Sequence, residues 1–188
     1  LQNKLCLMSL SRLEGWKRVD RVISIIEKII KNHPELKEKI ICLIIGEGSE
    51  AQKLKNIVKI KELDSQINFI GAVPNNEIAN YLYSTDIFMS FYSLSNVGNP
   101  LLEALRMNKV VFTLSNGDTA KWIQHKKNGY IYDEDTNFID QASNDIYSIL
   151  KNIKNLDEIK LNVKILADKK LWTWQERFDA ELELIESK

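Results

Sequence analysis

Ile40-Ile41-Cys42-Leu43-Ile44-Ile45-Gly46-Glu47-Gly48 is the stretch that decides the fold. Six apolar residues follow one another without a polar break, and four are the β-branched isoleucine. A strand with one wet face alternates apolar and polar residues; an unbroken run needs cover on both faces, as inside a parallel sheet. The glycines end the run sharply, and Ser49 to Leu63 then reads as a helix.

The same succession of strand, turn and helix extends in both directions. Upstream, Leu5 to Leu10 reads as a strand and Trp16 to Lys31 as a helix, with Val19, Val22, Ile23, Ile26, Ile29 and Ile30 at helical spacing. Downstream come a strand at Ile67 to Ile70 closed by Gly71, a helix at Asn75 to Tyr83 capped by Asn75 or Asn76, and a strand at Ile87 to Phe91. A polar loop, Ser93 to Asn99, leads to Pro100 and a helix over Leu101 to Met107, the proline standing where the first turn tolerates it. Strands at Val110 to Leu114 and Tyr130 to Tyr132 flank a short helix at Thr119 to His125. From Asn137 the chain reads as helical, with Ile146, Ile149, Leu150 and Ile153 on one face. Its tail, Leu171 to Ile185, is expected to fold back over apolar surface with Trp172, Trp174, Phe178, Leu182 and Ile185. The fold class is therefore α/β: a Rossmann-like parallel sheet flanked by helices over about residues 4–133, with a helical C-terminal segment over about 137–188, all in one domain.

Composition limits the functions. Lys+Arg and Asp+Glu are each 26 among 188 residues, so no bulk charge draws the chain to nucleic acid or an anionic membrane. Cys6 and Cys42 both lie in apolar runs and read as reduced packing residues, in keeping with a cytoplasmic protein. The longest apolar runs fall well short of the ~18 residues a membrane span requires. The chain starts at Leu1 and enters a strand almost at once, so a preceding segment is expected. The Lys-, Ile- and Asn-rich composition fits an AT-rich bacterial source.

Right-handed crossovers place the ligand crevice at the carboxyl ends of the strands, so chemistry is sought in the loops there. Ser11-Arg12-Leu13-Glu14-Gly15-Trp16-Lys17-Arg18 puts a guanidinium and an ammonium at the end of the first strand. The first forks onto two phosphate oxygens and the second adds a mobile point charge, which together suit a diphosphate; the plainer alternative is two solvated cations. The Ser93 to Asn99 loop presents a helix N-terminus, a ready anion site, with Gly98 admitting close approach and with amide contacts from Asn99 or Leu101. Glu103, one turn into that helix, could accept two ribose hydroxyls, or be an ordinary helix-start glutamate. Gly46-Glu47-Gly48 is no dinucleotide fingerprint, since it follows the second strand and lacks a third glycine; a Walker lysine motif and an acid-rich receiver site are absent too. His33, His125, Lys126-Lys127 and Lys169-Lys170 read as surface residues.

In order and spacing these pieces resemble the C-terminal, nucleotide-sugar-binding domain of family 4 retaining glycosyltransferases, which have the GT-B fold. The match is carried by Ser11-Arg12-Leu13 with Lys17 five residues after the arginine; by Ile44-Ile45-Gly46-Glu47-Gly48, Asn68-Phe69-Ile70-Gly71 and Tyr81-Leu82-Tyr83-Ser84-Thr85-Asp86-Ile87-Phe88; and by Gly98 with Leu102-Glu103-Ala104-Leu105. The resemblance implies that Arg12 and Lys17 hold the donor diphosphate as it leaves and that Glu103 binds the ribose. It implies that backbone at Ala72 and Val73 meets the base, with Gly46 beside them, and that amides around Gly98, Asn99 and Leu101 meet the phosphate or sugar. One departure stands out: the first glutamate of the family's Glu-x7-Glu motif falls at Ser95, whose hydroxyl lacks the charge, and Asn96 or Asn99 would take over sugar recognition. The donor implied is a UDP- or GDP-sugar, transferred with retention to a saccharide or lipid-linked acceptor in cell-surface polysaccharide or glycolipid synthesis; the chain is read as having no Asp-x-Asp metal motif, so departure without a metal is expected. An N-terminal acceptor domain, absent from this chain, would complete the enzyme, leaving the isolated domain inactive; the full-length protein is expected in the cytoplasm, including at the inner face of the membrane. Two rivals are a non-catalytic nucleotide-binding or scaffolding module, supported by Ser95, and a GT-B-like sugar-nucleotide epimerase, which needs a histidine and carboxylate set facing the donor.

Overall fold

The computed structural model of the protein describes residues 4–135 and 137–186. Six strands, β1 (Leu5–Leu10), β2 (Ile40–Ile45), β3 (Ile67–Gly71), β4 (Ile87–Ser90), β5 (Val110–Leu114) and β6 (Gly129–Tyr132), form one sheet in the order β3-β2-β1-β4-β5-β6. Every strand pair is parallel. All six residues of β1 are buried, and in β2 only Ile41 is partly open, as unbroken apolar runs require when helices cover both sides.

Among the described residues seven helices accompany the sheet: α1 (Val19–Asn32), α2 (Ala51–Ile60), α3 (Ile78–Tyr83), α4 (Asn99–Arg106), α5 (Phe138–Lys151), α6 (Lys154–Lys170) and α7 (Trp174–Glu186). The chain winds outward from β1 through β2 to β3, then returns to β4 and winds the other way. Right-handed crossovers running in opposite directions set α1 and α4 on opposite faces. One layer joins α1 to α2 and α5; the other joins α4 to α6 over β5. The α1 face buries Val22, Ile23, Ile25, Ile26 and Ile29. Asp86 ties the base of the sheet to α6: its carboxylate accepts the Cys6 N–H at 3.1 Å and the Lys160 ammonium at 2.9 Å. Cys6 and Cys42 are free and buried, and desolvation pushes the Cys6 thiol up to about 11.

Five local expectations need correction. The helix expected from Trp16 begins at Val19, because Gly15–Lys17 forms a 3-10 turn and Arg18 takes a left-handed φ of 48°. The segment Thr119 to His125 contains only a 3-10 turn, Thr119–Lys121. Neither Asn75 nor Asn76 caps a helix; both lie in the 3-10 turn Asn75–Glu77 ahead of α3. The tail does not fold back as a cover: Trp172 is 59% exposed, Phe178 56% and Ile185 71%. The cover comes from α6, which buries Leu156, Ile159, Val163 and Ala167. Ile153, expected on the apolar face of α5, lies in the turn after that helix and is exposed. No helix among the described residues is long and apolar enough to cross a membrane.

Candidate nucleotide-sugar site

The direction of winding reverses between the parallel strands β1 and β4, so the loops that leave them part and open a crevice at the carboxyl ends. The loops after β1 and β2 are locked together by backbone. Leu13 N–H donates to Glu47 O at 2.8 Å, Glu50 N–H to Leu13 O at 2.9 Å, and Ser11 N–H to Ile45 O at 3.1 Å. Gly46 makes this approach possible: it has a φ of +127°, and a Cβ there would lie 1.9 Å from Ser11 O. Arg12 sits between these pins, exposed, and Leu13 beneath it is 1% exposed.

A cavity of about 410 Å³ opens beside Arg12. Arg12, Gly46 and Glu47 line it from the first two loops, Ala72 and Val73 from the loop after β3, and Asn99, Pro100 and Glu103 from the start of α4. Its size and its convergent polar groups suit a small ligand. Glu103 has no ion-pair partner among the described residues, and burial raises its carboxyl above the usual carboxylate range. Neither Arg12 nor Lys17 has a carboxylate partner among the described residues. Lys17 flanks the cavity without lining it; its pKa is lowered by burial and further by the Arg12 guanidinium. A second cavity, about 770 Å³, shares Asn99 and Glu103 with the first and extends to Trp172 and Arg177.

The loop ahead of α4 is held from within. Asn96 is 1% exposed; its Oδ1 accepts the Tyr92 N–H at 2.8 Å, and its Nδ2 donates to Tyr92 O at 3.2 Å and Asn116 Oδ1 at 2.7 Å. Its side chain thus shapes the loop. Ser95 is exposed and lies over Gly117, where an added Cβ would be 2.6 Å from its Oγ. The Leu101 N–H turns back to Gly98 O at 3.1 Å, and Leu101 itself is buried. Pro100 has no N–H, and Asn99, as the first helical residue, has no helical partner for its amide at i−4.

Three features escaped the sequence reading. Tyr92, 5% exposed, sits beneath Lys17, and Trp16 lies beside it; both are aromatics next to loop residues already singled out, the one signal available. Arg21 is buried in α1, donates to Phe91 O at 2.8 Å and pairs with Glu134. Glu134 belongs to Asp133-Glu134-Asp135, the chain's Asp-x-Asp run. Glu134 and Asp135 line a separate charged cleft with Arg18, Asp20 and Arg21. Neither histidine lines the 410 Å³ cavity: His33 stacks on Tyr147 at 3.6 Å and His125 bonds Ile131 O at 2.8 Å.

This strand order, with a crevice at the switch point, makes the sheet Rossmann-like, a form it shares with GT-B glycosyltransferase domains. Residues 2–165 match the family described as glycosyl transferases group 1, and the chain belongs to that family. An uncharacterized glycosyltransferase of Haemophilus influenzae is 26% identical over 136 residues, 71% of this chain and 36% of that protein. The chain thus spans about a third of that relative's length. Among solved structures, HepE of Anabaena in complex with UDP superposes with a TM-score of 0.81 at 16% identity, over 99% of this chain and 50% of that one. The C-terminal domain of the glycosyl transferase group 1 protein LpcC from Francisella tularensis gives 0.77 at 23% identity, over 88% of this chain and 85% of that one.

Proposed function

We propose that this chain is the donor-binding domain of a family 4 retaining glycosyltransferase and that the 410 Å³ cavity receives a nucleoside diphosphate sugar. One observation carries the reading: Arg12 and the partly buried Glu103 line one crevice together with Ala72 and Val73, and Lys17, which has no carboxylate partner among the described residues, lies close enough to feel the Arg12 guanidinium. The diphosphate faces the two cations and the Asn99 amide. The pentose hydroxyls donate to Glu103, and the base lies along Ala72 and Val73, with Gly46 beneath. Ser95, Asn96, Gly98, Asn99 and Leu101 form the loop that meets the sugar, Asn96 and Leu101 by holding its shape.

When the bond from the anomeric carbon to the diphosphate oxygen breaks, its electron pair stays on the leaving oxygen. Arg12 and Lys17 stabilise that charge in place of a metal. In the whole protein an N-terminal domain supplies the acceptor site for a saccharide or lipid-linked substrate of cell-surface synthesis, in the cytoplasm or at the inner face of the membrane. The present chain binds donor and does not turn it over. That HepE was solved with UDP makes UDP the first nucleotide to test.

Titration of the chain with UDP, GDP and their sugars by calorimetry tests this reading. Saturable binding of a diphosphate, unchanged by excess EDTA, is the expected result. Failure of every nucleotide to bind would favour the rival reading of a scaffolding module, for which Ser95 in place of a carboxylate speaks.

A further inference from the structure

Lys17 is held between two aromatic rings. Its Nζ lies 4.0 Å from the Trp16 ring centroid and 3.8 Å from that of Tyr92. The rings meet edge to face, 6.1 Å apart at 75°. Tyr92 is fixed at both ends: its hydroxyl donates to Leu10 O at 3.1 Å and its N–H to Asn96 Oδ1 at 2.8 Å. Trp16 is fixed through its backbone, whose carbonyl accepts the Ser93 N–H at 3.0 Å. The loops after β1 and β4 are therefore sewn together around this one ammonium.

We infer that Trp16 and Tyr92 form an aromatic clamp that positions Lys17 for the diphosphate. The argument begins with the difficulty of the site. Two cations five residues apart repel each other, and a lysine on a flexible four-carbon stem would swing into solvent. A carboxylate beside Lys17 would hold it, but would also take its hydrogen bonds and neutralise the charge the phosphate needs. An aromatic face attracts the ammonium electrostatically without neutralising its charge, and the N–H donors that do not point at a ring stay available for phosphate oxygens. The clamp thus fixes Lys17 before ligand arrives, and less rotamer freedom is lost on binding. Trp16 and Tyr92 are positioning residues; they act through Lys17.

The inference rests on the donor-site reading, and its test separates the two. Lysine ε-methylene signals of the 188-residue chain are recorded by NMR without ligand, and UDP is then titrated. Ring currents are expected to shift the Lys17 signals upfield of those of exposed lysines, and Tyr92→Leu and Trp16→Leu are each expected to move them back. Each variant should weaken UDP binding about three- to tenfold, with affinity recovered in Tyr92→Phe, which keeps the ring. Trp16 is 38% exposed, so Trp16→Leu tests the clamp even where loss of the buried Tyr92 ring prevents folding. Ordinary Lys17 shifts in the unsubstituted chain, or undiminished UDP affinity in a folded Trp16→Leu or Tyr92→Leu variant, would overturn the clamp. A chain with upfield Lys17 signals that binds no nucleotide would overturn the donor-site reading and leave the clamp in place.

Discussion

The side chains of Asn96 and Asn116 hydrogen-bond to each other at 2.7 Å and join the loops that follow β4 and β5. The same Asn116 oxygen accepts the Asn96 N–H at 3.1 Å, and its Nδ2 donates to Tyr92 O at 3.0 Å. Together the two amides satisfy backbone groups of the turn ahead of α4, around the buried Tyr92 and Asn96. Asn96→Ala leaves the Tyr92 N–H without this acceptor and leaves Asn116 Oδ1 only the backbone N–H of residue 96. It is expected to lower stability by about 1–3 kcal/mol, as for other buried groups left unpaired, measured by urea denaturation.

Arg12 acts on the ligand and not on the fold. It is exposed and has no carboxylate partner among the described residues, so Arg12→Ala is expected to leave the melting temperature unchanged. The same substitution should weaken UDP binding by about 1.5–3 kcal/mol, the worth of hydrogen bonds to a charged group. Calorimetry of both quantities on one preparation checks the split.

Glu103 carries the opposite balance. Burial raises its pKa, so around that pKa the folded chain holds more proton than the unfolded chain, and stability falls as pH climbs through the carboxyl range. At neutral pH the ionised group is a cost to folding. Glu103→Gln is expected to raise the melting temperature at pH 7, with the gain lost below the ordinary carboxylate range of about pH 4. UDP affinity should fall in the variant at neutral pH. In the unsubstituted chain it should decline on acidification before an ordinary glutamate would protonate. A melting temperature lowered by Glu103→Gln at pH 7 would contradict this.

Gly46 has no substitute. A Cβ would meet Ser11 O at 1.9 Å, and the φ of +127° disfavours any side chain. Gly46→Ala should therefore cost more than the ~1–3 kcal/mol of backbone strain alone, seen as a large loss of denaturation midpoint or of soluble protein.

The strands were legible because a doubly covered strand leaves an unmistakable mark: Ile40 to Ile45 and Leu5 to Leu10 can only be buried. The loops at their ends followed from topology, which drew attention to Arg12, Asn99 and Glu103; Ala72 and Val73 were named only through the family resemblance. Local punctuation was harder. Nothing in Trp16-Lys17-Arg18 announces a left-handed residue at Arg18, because αL is rare outside glycine. The tail misled for another reason. Phe178, Leu182 and Ile185 recur at helical spacing, and periodicity reveals an apolar stripe without revealing what it packs on. The Tyr92 platform was hidden because cation and ring approach each other across 75 residues of chain.

The central claim is that three loops and α4 converge on one diphosphate, and a map of backbone amide shifts on UDP titration tests it most directly. The account predicts that the shifts gather at Arg12, Lys17, Val73, Asn99 and Glu103 and saturate with a single dissociation constant. Shifts gathered instead around Lys126, Asp145 and Asn162, which line another cleft, with those five residues unmoved, would contradict it.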